Sequence, residues 1–291
     1  MKSLIQPSEM NIVVGISISE PAEEELVRLG LSELHVRHVF VELVRYVLAA
    51  GGSIAYGGDF RAGGYTEALF DLVRTYNPKD LTGPERVFNY LAWPLWTEIT
   101  GDERASLANV ATLISVPAPN GAPENLAERA KRTPPELLWY SLALTEMRKL
   151  MTSKIGARVI IGGRVSGQQG LYPGLIEEAD LALREGVPLF VAGGVGGCGR
   201  LLAKSLCGRS LQELTLQYQQ EHTERYDELL NEARAAGLEP DYEELARRFA
   251  SSGMGNLRNG LNETENQHLA DSINIDEIVA LILRGLRRIA A

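Results

Sequence analysis

The sequence predicts an α/β fold: a doubly wound, mostly parallel, Rossmann-like sheet followed by a helical C-terminal extension. Three observations predict it. Short runs rich in Val and Ile alternate with helix-period segments over the first two thirds of the 291 residues. Three of those runs end in glycine pairs. Beyond residue 211 the strand signal stops and only helical periodicity continues.

The elements follow in order. The run NIVVGISIS, 11–19, reads as a buried strand. Ser32 is an N-cap for a helix to about Ala50, with Leu34, Phe40, Val41, Val44, Val47 and Leu48 on its apolar side, and Gly51-Gly52 ends it. SIAYGG, 53–58, is a second strand, and 65–76 a helix stopped by Asn77-Pro78. A third strand, 86–96, leads into a proline-bent loop, and 111–117 is a fourth. A long helix runs from Pro134 to about Lys154, with proline in its first turn. RVIIGG, 158–163, is the fifth strand, 174–185 a helix, 188–194 the sixth strand, and 199–206 opens another helix. The tail holds a charged helix over 211–236, another over 241–250, a Gly- and Asn-rich loop, and a last helix over 275–289. The organisation expected is a nucleotide-binding domain over 1–210 and an extension over 211–291 that packs on the body, covers its cleft or mediates dimerisation.

Composition narrows the function classes. A net charge of -9 argues against general attraction to nucleic acid or an anionic membrane face. The N-terminus lacks the apolar run and cleavage site of a signal peptide, and no stretch has the length of a membrane span, so a cytoplasmic protein is expected. Two cysteines nine residues apart, Cys198 and Cys207, form neither a disulfide framework nor a zinc motif. His35 and His38 share a helix face but lack a third ligand, so neither a metal nor another cofactor is expected.

In an open α/β sheet, ligands bind outside the C-terminal ends of the strands. Glycine there permits tight turns and close approach of backbone N–H groups to a phosphate. The candidate contacts are Gly57, Gly58, Asp59, Arg61, Gly63, Gly64 and Thr66 after the second strand. After the fifth they are Gly162, Gly163, Arg164, Ser166, Gln168, Gly170 and Gly174, and after the sixth Gly193, Gly194, Gly196 and Gly197. One such loop is equally well a bare turn; three at one sheet edge point to a nucleotide-like or phosphate ligand. Arg61, Arg164 and Arg200 are either phosphate contacts or solvated, and Asp59 either a turn-former or a ribose ligand. No G-K-[ST] follows a glycine loop and no standard dinucleotide fingerprint occurs, which removes the ATPase and NAD(P)-dehydrogenase readings. Glu67, Glu177 and Glu178 sit early in helices that follow these loops. Each is either a helix-dipole partner or a ribose contact, and Glu67 or Glu178 could serve as a catalytic carboxylate at an oxocarbenium-like centre.

The segments VGISIS, HVRHVFVELVRYVLAAGGSIAYGGDFRAGGYTEALFDLV, ARVIIGGRVSGQQGLYPGLIEEADLAL and PLFVAGGVGGCGR together resemble the prokaryotic SLOG superfamily over residues 11–207. That superfamily groups Lonely-guy-like phosphoribohydrolases, the DNA-processing protein DprA and nucleotide-sensor domains of bacterial conflict systems. In the Lonely-guy enzymes a PGGxGTxxE motif cradles the phosphate and its glutamate serves hydrolysis. Aligned on the glutamates, GLYPGLIEE puts Gly174 on the glycine before the family's threonine, Leu175 on the threonine, and Glu178 on the catalytic position. The resemblance is greater to the conflict-system domains, which implies sensing of a nucleotide, ADP-ribose or NAD-derived ligand, in a defence role and as a homo-oligomer, a dimer. N-glycosidic hydrolysis through Glu178 is the alternative, and an oligomerising interaction role for the helical tail a third.

Overall fold

The computed structural model describes residues 10–58, 60, 63–75 and 86–290. Asp59 and Arg61 lie outside them, as does the end of the expected 65–76 helix. The elements are β1 (Val13–Ser19), α1 (Glu23–Arg28), α2 (Glu33–Ala49), β2 (Ser53–Gly57), α3 (Tyr65–Thr75), β3 (Val87–Leu91), α4 (Trp93–Glu98) and α5 (Gly101–Leu107). They continue with β4 (Thr112–Ser115), α6 (Pro134–Thr152), β5 (Ala157–Gly162), α7 (Gly174–Arg184), β6 (Leu189–Ala192) and α8 (Gly197–Leu206). The tail is all helix: α9 (Leu216–His222), α10 (Tyr226–Ala235), α11 (Tyr242–Ser252), α12 (Glu263–Asp271) and α13 (Ile275–Ala290).

The six strands form one parallel sheet in the order β4-β3-β2-β1-β5-β6. Chain direction across the sheet therefore reverses between β1 and β5, which are paired from Val14↔Ala157 to Ser19↔Gly162. Alternation along the strands sorts the core. Val14, Ile16, Ile18, Val159 and Ile161 join α2 and α3 on one face, while Ala55 and Tyr90 join Met147 and Met151 of α6 on the other. Ile160 packs with α7 and α8. Ser17 and Arg158, one residue out of step with the first set, thus belong to the α6–α7 face.

The tail is part of this core. Leu269, Ile278, Ile282 and Leu286 are buried with β1 and α2, and α13 lies along α2. Leu189 N–H donates to the Leu257 carbonyl at 2.9 Å and Asn259 Nδ2 to the Leu189 carbonyl at 2.7 Å. The β6 edge is thereby covered rather than left as a template for pairing. No helix among the described residues is long and apolar enough to cross a membrane.

Helices α1 and α5 have no counterpart in the expected order, and four further elements differ from it. The proline-bent loop after β3 is α4, because Pro94 falls in the helix's first turn, where its missing N–H is no loss. The charged segment 211–236 is two helices, broken where Arg225 adopts a left-handed φ of 58°. The Gly- and Asn-rich loop contains α12, started by a capping box in which Asn262 and Glu265 bond each other's backbone N–H. And α8 begins two residues earlier than expected, at Gly197.

Candidate functional site

The switch between β1 and β5 is where an open sheet offers a crevice, and the glycines found there pack against protein backbone. Gly162 and Gly163 have φ of +62° and +98°. A Cβ on Gly162 would stand 2.6 Å from the Ser19 carbonyl, and one on Gly197 2.1 Å from that of Gly163. Gly163 N–H donates to Ser19 O at 2.7 Å, and Cys198 N–H to Gly163 O at 3.0 Å. Gly193 and Gly194 are pressed against the tail, where Cβ atoms would meet the Ala270 and Ser272 carbonyls at 2.7 and 2.0 Å. Gly196 is a third left-handed turn, φ +89°, and Gly197 N–H donates to Glu25 at 3.1 Å. Each of these glycines has a packing reason that involves no ligand.

After β2 the arrangement is looser. A Cβ on Gly57 would reach Met147 Sδ at 2.8 Å, and one on Gly58 the Tyr56 ring. Gly63 N–H donates to Glu67, and its carbonyl accepts from Arg37 at 2.7 Å. Gly64 O accepts from Ala68 N–H. Glu67 therefore closes the loop before its own helix, on an exposed surface. Thr66 is buried, and its hydroxyl has no hydrogen-bond partner among the described residues; Tyr65 is buried beside it. Burial and the neighbouring Glu20 push the Tyr65 phenol above its ordinary range.

The glutamates of α7 have a different setting. Glu177 and Glu178 are 8% and 7% exposed and face two arginines from adjoining elements. Arg148, on α6, pairs with Glu177 and stands 3.5 Å from Glu178; Thr145 donates to Glu177 at 2.6 Å. Arg158, at the start of β5 and fully buried, donates to Glu178 at 2.7 Å, to Ser17 at 2.8 Å and to Thr152 at 2.9 Å. Ser17 in turn donates to Glu178. Burial works against the charge on both guanidiniums. The two glutamates more than offset it at Arg148, whose pKa is raised, whereas at Arg158 burial prevails over Glu178 and the pKa is lowered. Gly174 is required beside this network, since a Cβ there would stand 2.7 Å from the Arg148 guanidinium. Gly170 is the next backbone over the same guanidinium, at 3.5 Å.

The loop from β5 to α7 roofs the network and is tied to the tail. Gly167 N–H donates to Thr223 at 2.9 Å, Gln168 Nε2 to Gln219 at 3.0 Å, and Gln219 Nε2 to the Val165 carbonyl at 2.9 Å. The Leu171 carbonyl accepts from both Tyr226 and Tyr242, and Asp241 N–H donates to the Tyr172 hydroxyl at 2.7 Å. Arg164 is exposed and Ser166 half-buried on this loop, and the Arg164 carbonyl accepts from the Cys198 thiol at 2.9 Å. Burial pushes that thiol far above its usual range, as suits a filler rather than a nucleophile. Beside the loop lies a cavity of about 280 Å³ whose lining includes Gln168, Gln169, Arg129, Arg132 and Arg225.

Of the expected site residues, the structure gathers Gly170, Gly174, Glu177 and Glu178 around Arg148, with Gln168 on the neighbouring cavity. Glu67 and Glu178 do not share a partner, since each side chain is bonded within its own locale. Arg148, Arg158, Ser17 and Arg132 were not legible as site residues. A signal existed for one: RVIIGG opens a buried strand with a cation, which requires a counter-charge in the fold.

No curated protein matches this chain. The family profile described as SLOG cluster2 matches residues 9–269, running from the strand before the first helix through α12. A match over that much of the sequence, on a parallel sheet with its glycine turns at one edge, means that the chain belongs to the SLOG cluster2 family.

Proposed function

We propose that this protein binds a nucleotide-derived small molecule at the β5 side of the sheet's C-terminal edge, and that it senses the ligand rather than consuming it. Family membership supports a nucleotide-related ligand-binding or processing domain. The observation that favours sensing is the state of Glu178. A general acid, base or nucleophile has to reach the reacting atoms, whereas Glu178 is buried and committed to Arg158, Ser17 and Arg148. The loop above it is fastened to α9, α10 and α11, an arrangement suited to passing occupancy on to the tail. On this reading residues 1–210 carry the ligand and 211–291 carry the response, in a cytoplasmic homodimer serving a bacterial conflict system.

The test is to incubate the purified protein with a panel of nucleotides, ADP-ribose and NAD, record thermal shifts, and identify what is released by mass spectrometry. A sensor returns a specific stabiliser intact. Recovery of free base and ribose phosphate from the wild type, but not from Glu178→Gln, would instead make the protein an N-glycosidic hydrolase.

A further inference from the structure

The cavity beside the β5–α7 loop carries a cation that has no direct ion pair among the described residues. Arg132 lies just before α6, is only 8% exposed, and helps line the cavity. Its Nε donates to the Ala127 carbonyl at 3.2 Å and its NH1 to the Gln169 side-chain oxygen at 3.0 Å. Its guanidinium plane lies 3.8 Å from the centroid of the Tyr140 ring. None of these partners is anionic. Among the described residues no carboxylate oxygen stands within ion-pair distance of it, and Glu98 and Glu136 act on it only from further away. Burial pulls its pKa below the ordinary arginine value, and the neighbouring Arg129 adds to that.

A buried charge is normally paired, because desolvating it alone is costly. The other buried guanidiniums of this protein obey that rule, with Arg148 and Arg158 both on glutamates. Around the cavity Arg225 is held bidentately by Glu228, and Arg129 and Glu224 are exposed at its wall. Arg132 is the buried cation there with no direct ion pair among the described residues. The amides of Gln168 and Gln169 offer neutral hydrogen-bonding groups on the same wall, and Leu137 and Leu229 an apolar one. A volume of about 280 Å³ falls just below the roughly 300–1,000 Å³ of ligand pockets, a size that suits one nucleotide or a sugar phosphate.

We infer that this cavity is an anion-recognition site in which Arg132, with Arg129 at the rim, takes the phosphate group of a ligand no larger than a single nucleotide. The site is built jointly by the segment before α6, the β5–α7 loop and the start of α10, so the tail supplies part of its wall. The ligand's nucleotide character rests on the function proposed above, whereas the phosphate site stands without it.

Calorimetric titration with ribose 5-phosphate, AMP, adenosine and ADP-ribose separates the two. Wild-type protein should bind the first two and not ADP-ribose, with adenosine much weaker than AMP. Arg132→Gln should weaken both phosphorylated probes by about 10- to 100-fold, the range for a lost charge-assisted hydrogen bond. Arg129→Gln, at an exposed position where the fold is not at risk, should weaken them by roughly 1.5- to 5-fold in a salt-dependent way. If Arg132→Gln does not fold, the Arg129 variant carries the test alone. AMP bound equally by wild type and both variants would overturn the cavity site and leave the nucleotide reading intact. Arginine-dependent binding of ribose 5-phosphate with no preference for any nucleotide would sustain the site and remove the nucleotide reading. Failure of wild type to bind any phosphorylated probe would remove both.

Discussion

Arg158 is among the largest side chains buried completely in this protein, and its charge is answered by one carboxylate, Glu178. Removing one member of a buried pair costs about 3–5 kcal/mol, because the survivor is left charged in a dry place. Glu178→Gln should therefore lower unfolding free energy by about that amount in urea titrations. The double substitution Arg158→Met with Glu178→Leu should recover most of the loss, as apolar replacement of buried pairs commonly does. Loss of any activity in the single variant would then have to be judged against its stability. A second residue-scale prediction concerns acid. Hydrogen bonds from Arg288 and the Asn262 N–H, with Arg284 adding to them, hold the Glu265 carboxyl down at about 2. A depressed carboxylate contributes stability that is complete above its unfolded value, 4.5, and is lost as the pH falls through its folded value. Amide protection factors in α12 and α13, taken against the intrinsic exchange rate at each pH, should accordingly fall between pH 4.5 and 2, and Arg288→Ala should remove most of that dependence.

At the scale of elements, Gly194 is the position where the body and the tail touch most closely. Alanine there would place its Cβ 2.0 Å from the Ser272 carbonyl, a backbone atom that cannot swing aside. Overpacking of this kind costs about 1–3 kcal/mol or more, so Gly194→Ala should melt well below wild type in calorimetry. Gly63→Ala is the comparison: its φ of +73° is unfavourable for alanine but none of the described residues lies within 4 Å of the added Cβ, and the cost should be about 1–2 kcal/mol. The same glycines show how far the sequence could be read. All six strands were legible because Val/Ile runs between glycines have few other interpretations in a parallel sheet. Helix α12 was not, although N-E-T-E is a capping box, because the glycines and asparagines before it read as loop. Proline 94 misled in the other direction, since only position within the first turn distinguishes a starter from a breaker. The glycine loops were found, but not the carbonyls against which they pack. Whether a glycine makes room for a ligand or for a carbonyl thirty or eighty residues away depends on long-range packing, which one-dimensional spacing does not encode. Arg132 was missed for a related reason, because its place on the cavity wall exists only once the chain has folded around it.

At the scale of the whole molecule, the tail completes a core begun at the N-terminus. Leu269, Ile278, Ile282 and Leu286 are each almost fully buried against β1 and α2. We expect a chain cut at residue 210 to be insoluble or to bind a hydrophobic dye strongly, measured beside the full chain after identical expression; a soluble, cooperatively melting fragment would refute this. The tail also holds the cavity wall. Tyr242→Phe, which removes one of two hydroxyls on the Leu171 carbonyl, should cost about 1 kcal/mol of stability and raise amide exchange in the β5–α7 loop. The placement of α13 along α2 has one more consequence, which concerns synthesis. α13 leaves the ribosome more than two hundred residues after α2. At about 5–20 residues per second, the apolar side of α2 stays open to other nascent chains throughout that interval. The newborn protein is thus an expected client for a chaperone that binds helical apolar stripes until the sixteen-residue α13 arrives.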